Sequence, residues 1–358
     1  MRPRNGCRPP ARGTRGGVPR LRRSDCAAPG IARRGRGRGF EYLDPDGERV
    51  DDPETLERLR ALAIPPAWRD VWICLDPLGH LQATGIDAAG RKQYRYHDRW
   101  RARRDREKFD QMVEFGSALP RLRRRVTRDL RAGRKLSRPR VLASATRLLD
   151  LGFFRIGSED YAADNQTYGL ATMLRRHVSI QRDEVVFDYP AKGGRRRVQA
   201  IADGDVRAVV AALKRRRGGG RELLAFRDDG RWVDVRSADI NAYVKEITGG
   251  DFTAKDFRTW NATVLAAVAL AARVPRSSRT SRRRAVRGAV ETVARYLGNT
   301  PAVCRASYID PRVVDRFGAG DTIAPALARL GGEPDLGSPR KRARIEAAVL
   351  DLLDEPGD

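Results

Sequence analysis

The chain has 358 residues, 41% of them apolar, and a formal net charge of +26. That length suffices for two domains with real cores, and so large a positive charge points to a polyanionic partner, nucleic acid by default. No run of about 18 uncharged apolar residues suggests a membrane span, and four cysteines without CxxC spacing beside three histidines argue against structural zinc.

The N-terminus carries arginines but no apolar signal core, so a reduced, cytoplasmic setting fits best. Residues 1–40 hold twelve arginines against one aspartate in a Gly/Pro-rich tract. Residues 1–38 are therefore predicted to be a disordered basic tail. Removing the +11 of that tract still leaves about +15 of the +26 on the body of the chain. With 64 arginines and eight lysines, each lysine is worth a question, because lysine can give up a proton and arginine practically cannot. Lys92, Lys192 and Lys255 matter below.

After the tail, residues 40–50 and 68–87 alternate apolar and polar residues around DPDG, DPLG and IDAAG, which predicts short antiparallel strands. A polar-faced strand or loop rich in basic and aromatic residues follows over 91–100. Helical spacing begins with Phe109, Met112, Val113, Leu119 and Leu122. The predicted fold class is α+β: a β-rich domain over 39–110 and a mostly helical domain over 115–355. In the second, Ser137 starts one helix and Gly169–Met173 another. Period-two patterning over 177–201 predicts a three-stranded meander with Lys192 at a glycine-supported hairpin tip. Helices resume over VRAVVAALKRR, SADINAYVKEI and TAKDFRTWNATVLAAVALAA, the last opening on a Thr253/Asp256 capping box. Residues 273–287 are predicted to be a basic linker, followed by a helix ending near Tyr296. In YLGNTPAVCRASYIDP, Gly298 suits a left-handed helix stop, Thr300-Pro301 a restart, and Pro311 limits the new helix to about two turns.

No GxxxxGK[ST], HExxH or GxSxG motif is present. The chemistry-bearing candidates are cationic. Lys255 and Arg258 share one face of a helix start, where amides favour an oxyanion. Arg155, in GFFRIGSEDY, sits among apolar residues and either pairs with an acid such as Glu159 or is held toward a ligand. Read singly, each has a plain structural explanation: an ion-pair member, a solvated turn lysine, an exposed helix edge and, for Tyr308, a packed aromatic.

In fixed order, FFRIG, the hairpin lysine, KDFRTW, and GNTP followed nine residues on by tyrosine resemble the type IB DNA topoisomerases, most of all the compact poxvirus-like and bacterial group. The resemblance covers about residues 38–330, including RKQYRY. It implies the catalytic fold shared by tyrosine recombinases and topoisomerases IB. It also implies a monomer that clamps double-stranded DNA in a C shape and relaxes supercoils through a 3′-phosphotyrosyl intermediate. ATP, metal, cofactor, membrane and small-molecule substrate would all be dispensable. By the same resemblance Tyr308 is the nucleophile, Arg155 and Arg258 bind the non-bridging oxygens, and Lys192 protonates the 5′-hydroxyl. Asn299 stands where poxvirus enzymes have histidine, so it would bind an oxyanion without shuttling a proton. Lys92, Gln93, Tyr94, Tyr96, Tyr161 and Lys255 match DNA-contacting positions. Two rivals stay open: a site-specific tyrosine recombinase, against which Lys-x-x-Arg and RKQYRY speak, and a non-catalytic DNA-binding protein.

Overall fold

The computed structural model describes residues 19–159, 162, 165–273, 278–331 and 333–354. The chain divides into two compact units, Met1–Lys108 and Phe109–Asp358. The division falls inside one long helix.

The first unit is an antiparallel sheet of five strands: β1 (Ile31–Arg36), β2 (Gly39–Leu43), β3 (Arg69–Ile73), β4 (Leu81–Ile86) and β5 (Lys92–Tyr96). Their order is β2-β1-β3-β4-β5. Helix α1 (Pro53–Ala61) inserts between β2 and β3, capped by the Asp52 carboxylate on the Thr55 N–H. Ile31, Leu59, Val71, Ile73 and Ala83 form its core. β1 corrects the expectation of a disordered tail to residue 38. Ile31 is buried in that core, and Arg33 is used structurally. The Arg33 guanidinium donates to the carbonyls of Ile64, Pro65 and Trp68 at 2.8–3.0 Å and covers the Phe40 ring at 4.1 Å. An arginine that satisfies three carbonyls belongs to a fold, whatever its neighbours' composition.

Helix α2 (Asp98–Arg131) carries the chain into the second unit, an α+β arrangement. It continues with α3 (Arg138–Gly152) and a meander of β6 (Val178–Gln181), β7 (Glu184–Pro190) and β8 (Arg196–Ile201). Then come α4 (Gly204–Arg215), a ribbon of β9 (Ala225–Asp228) and β10 (Arg231–Asp234), α5 (Ser237–Thr248) and α6 (Ala254–Ala271). The last elements are α7 (Arg279–Leu297), α8 (Pro301–Ser307), α9 (Pro311–Ala319), α10 (Ala324–Leu330) and α11 (Pro339–Asp354). α6 is the central element: Phe257, Trp260, Ala262 and Ala267 are all buried. Its capping box forms as the spacing predicts, with Asp256 Oδ2 accepting from the Thr253 N–H at 2.7 Å.

Two further expectations are corrected. Residues 279–287 are the first half of α7, not linker. Ser278 Oγ caps the helix by accepting from the Ser281 N–H, and Val286, Ala289 and Val290 turn inward at helical spacing. Residues 274–277 lie outside the described residues. The run from Gly169 also starts no helix. The Leu170 and Ala171 N–H groups donate instead to the carbonyls of Arg155 and Ile156, at 2.8 and 2.7 Å. That pairing needs the two backbones in contact, since a Cβ on Gly169 would lie 2.3 Å from the Gly157 nitrogen. Among the described residues no helix is long and apolar enough to cross a membrane, and no cluster of His, Cys, Asp or Glu could hold a metal ion.

Candidate active site

Arg155 emerges just after α3 because the chain reverses there. The left-handed residue is Phe153 (φ 53°), not the Gly152 that composition favours. Gly152 serves close packing instead, as a Cβ there would lie 2.2 Å from the Phe154 ring. Phe154 is fully buried and packs edge-on to Phe187 at 4.8 Å. With Phe154 inward and the backbone of 155–156 bonded to 170–171, the Arg155 side chain is left to face the cleft. Its Nη2 donates to Asn299 Oδ1. Glu159, its candidate acid, is occupied elsewhere, accepting from the Ser237 N–H at 2.8 Å and hydroxyl at 3.2 Å.

Arg258, one turn into α6, is 4% exposed. Nη1 donates to the Phe153 carbonyl and Nη2 to the Leu297 carbonyl at 3.1 Å, while Nε has no partner. Burial first, and then the charge of Arg155, pull its pKa down to about 10. Among the described residues neither arginine has a carboxylate in ion-pair range, whereas Arg123, Arg147 and Arg342 do.

α7 stops at Gly298 (φ 63°), whose N–H and that of Asn299 close on the carbonyls of Arg295 and Ala294. Thr300 Oγ1 accepts from the Val303 N–H, and Pro301 opens α8. Asn299 is thus held in the bend, its Nδ2 buried without a partner. Tyr308 ends α8. Its carbonyl accepts from the Thr263 hydroxyl at 3.3 Å, and the Thr263 oxygen accepts from the Asp310 N–H at 3.1 Å, so α6 holds the chain where it leaves the tyrosine. Arg258 Cζ lies 5.3 Å from the Tyr308 ring centroid. Burial raises the Tyr308 phenol, but the charges of Arg258 and Arg155 outweigh it and leave it below the ordinary tyrosine value.

Lys192 is exposed on the β7–β8 turn, where Gly193 and Gly194 both take positive φ. Lys255 is exposed in the first turn of α6. A cleft of about 340 Å³ brings together Arg155, Lys192, Lys255, Arg258 and Tyr308. In the other unit, β5 presents Lys92, Tyr94 and Tyr96 to solvent, with the tyrosine rings stacked at 6.2 Å and Lys92 Nζ 6.0 Å over Tyr94. Gln93 lies on the opposite face and donates to Asp87 at 2.9 Å. Tyr161 lies outside the described residues. Sequence reasoning missed Arg197, which joins Arg155, Lys192 and Arg258 around a neighbouring cleft. The available signal was the period of β8, which puts 197 on the same face as buried Ile201.

The second unit is that of a topoisomerase: residues 97–317 match the family described as eukaryotic DNA topoisomerase I, catalytic core. Residues 39–87 match the bacterial DNA topoisomerase IB N-terminal domain. The chain is 30% identical over 287 residues to the DNA topoisomerase 1B of Acanthamoeba polyphaga mimivirus, covering 78% of this chain and 85% of the viral protein. It is 26% identical over 146 residues to the DNA topoisomerase 1B of vaccinia virus (strain Copenhagen), covering 40% of this chain and 46% of that protein. The chain belongs to the type IB DNA topoisomerase family, an enzyme family whose partner is DNA.

Proposed function

We propose that this enzyme relaxes supercoiled duplex DNA by cutting and rejoining one strand through a 3′-phosphotyrosyl bond to Tyr308. The observation that carries this reading is the Tyr308 phenol, lowered by two guanidiniums that have no acid partner among the described residues, in one cleft with Lys192. Tyr308 attacks as the phenolate, its proton given up to water, and the bond from its oxygen to phosphorus forms as the bond to the 5′ oxygen breaks. Arg155 and Arg258 bind the non-bridging oxygens with charge-assisted hydrogen bonds, and the free Nδ2 of Asn299 donates a further one. Lys192 gives its proton to the departing 5′ oxygen, a step open to lysine and closed to arginine. The free end turns under torsional stress. The 5′-hydroxyl then attacks the phosphotyrosine, Lys192 takes the proton back, and Tyr308 leaves.

The phosphoester energy is conserved throughout, so neither ATP nor metal is required. Lys255 and the exposed face of β5, with Tyr161, supply contacts along the duplex, and phosphate contacts dominate affinity. A single copy acts on double-stranded DNA in a cytoplasmic, nucleoid-associated setting. The test is incubation of supercoiled plasmid with protein and EDTA, without nucleotide. Wild type relaxes the plasmid and accumulates a covalent complex on the 3′ end, whereas Tyr308→Phe does neither. Relaxation by Tyr308→Phe at the wild-type rate would overturn the assignment.

A further inference from the structure

Arg197 has no part in the steps above, yet it is placed as closely as the residues that do. It follows Lys192 by five positions, along β8. Its Nε donates to Gln199 Oε1 at 2.7 Å, and its Nη2 crosses to the end of α7, donating to the Tyr296 carbonyl at 2.6 Å. Nη1 occupies the space over Gly298, where a Cβ would come within 2.6 Å of it. Among the described residues no carboxylate pairs with it, whereas its neighbour Arg196 pairs with Asp188.

The end of α7 and the bend after it are therefore gripped at three points, by arginines from β8, from α6 and from the segment after α3. Arg197 holds residue 296, Arg258 holds the carbonyl of 297, and Arg155 holds the side chain of 299. Two of these guanidiniums also have work to do on phosphate. Arg197 has none there, and it bonds protein acceptors on both sides, Gln199 on its own strand and Tyr296 across the gap. It is also the one that starts from the strand leading out of the Lys192 hairpin.

Resting on the reading of Tyr308 as nucleophile and Lys192 as acid, we propose that Arg197 is a positioning residue for cleavage and religation, tying the hairpin that carries the acid to the bend that presents Asn299 and Tyr308. In-line transfer requires attacking and leaving oxygens on opposite sides of one phosphorus, so the two carriers must keep a fixed separation. Arg197 exchanges no proton and touches no reacting atom. The Tyr308–phosphorus bond still forms as the bond to the 5′ oxygen breaks, in both directions.

The test compares Arg197→Ala, Arg197→Lys and Gly298→Ala with wild type. Three quantities are read: plasmid relaxation with enzyme in excess, the covalent fraction at equilibrium, and affinity for a fluorescent 30-base-pair duplex against salt. Positioning predicts that Arg197→Ala slows relaxation about 30-fold or more. Because the bend serves both directions, the covalent fraction is unchanged, and duplex affinity stays within about threefold with the same salt slope. Arg197→Lys keeps the charge but cannot span Gln199 and Tyr296 at once, so it recovers only part of the rate. Gly298→Ala intrudes on the same guanidinium, so its effect and that of Arg197→Ala are less than additive. Full activity of Arg197→Lys, a lowered salt slope in Arg197→Ala, or strict additivity with Gly298→Ala overturns the proposal. Tyr308→Phe separates the two readings. If it is inactive while Arg197→Ala relaxes normally, only the positioning role fails, and if it relaxes normally, the nucleophile assignment fails first.

Discussion

Two groups of arginines in the catalytic unit are handled in opposite ways. Arg123 and Arg342 are locked against carboxylates: Arg123 to Asp150 at 2.8 Å and to Glu346 at 2.5 Å, Arg342 to Asp150 at 2.7 Å and to Glu346 at 3.0 Å. Burial would raise the Asp150 carboxyl, but the charges of Arg342 and Arg123 hold it at about 2. Five residues beyond Asp150, Arg155 meets an amide oxygen, and three residues before Asn261 of the same network, Arg258 meets carbonyls. Neutral acceptors orient a guanidinium without cancelling its charge. The paired group holds α2, α3, α6 and α11 together, and the unpaired group keeps its positive potential for an anion. Their proximity means that the frame behind the cleft is neutralised and rigid while its face is not.

The comparison breaks if the groups respond alike to truncation. Arg342→Ala leaves two carboxylates sharing one buried arginine and is expected to lower stability by about 3–5 kcal/mol in urea unfolding. Its relaxation rate per folded molecule should change far less. Arg155→Ala is expected to do the reverse, slowing relaxation about 10²–10³-fold, as loss of an oxyanion donor does, while the unfolding midpoint scarcely moves. A large stability loss in Arg155→Ala would mean that its bond to Asn299 is mainly structural. The pH profile sharpens the contrast. A depressed phenol pKa makes the single-turnover rate rise with pH and level off below the ordinary tyrosine value of about 10. Since Arg155 is one of the charges that depress it, Arg155→Ala should move that midpoint upward, whereas Arg342→Ala should leave it in place. The smallest effect belongs to Asn299→His. Imidazole can still donate one hydrogen bond, so relaxation should stay within about tenfold of wild type, and complete loss would show that the Arg155–Asn299 pair needs an amide oxygen.

The turn chemistry around the tyrosine was legible in the sequence because it is local: Gly298, Thr300-Pro301 and Asp310-Pro311 each dictate backbone geometry within about four residues. The meander and the capping box of α6 were legible for the same reason. What escaped is non-local. Phe153 adopts a left-handed conformation because Phe154 is drawn into the core, and no propensity favours that for phenylalanine. The stretch from Gly169 has a helical pattern, but its N–H groups are taken by the carbonyls beside Arg155. Composition hid β1 and the start of α7, since arginine-rich segments read as disorder until their guanidiniums find carbonyls. Arg197 was concealed in a run of three arginines, only one of which turns inward.

Thr263 gives the enzyme a built-in gauge. One hydroxyl on α6 bonds both the Tyr308 carbonyl and the Asp310 N–H, five residues along the same helix from Arg258. The reach of the tyrosine is thereby measured from α6 and not along the chain that connects α6 to α7. Tyr308 and the guanidinium beside it are thus both set by positions on one helix.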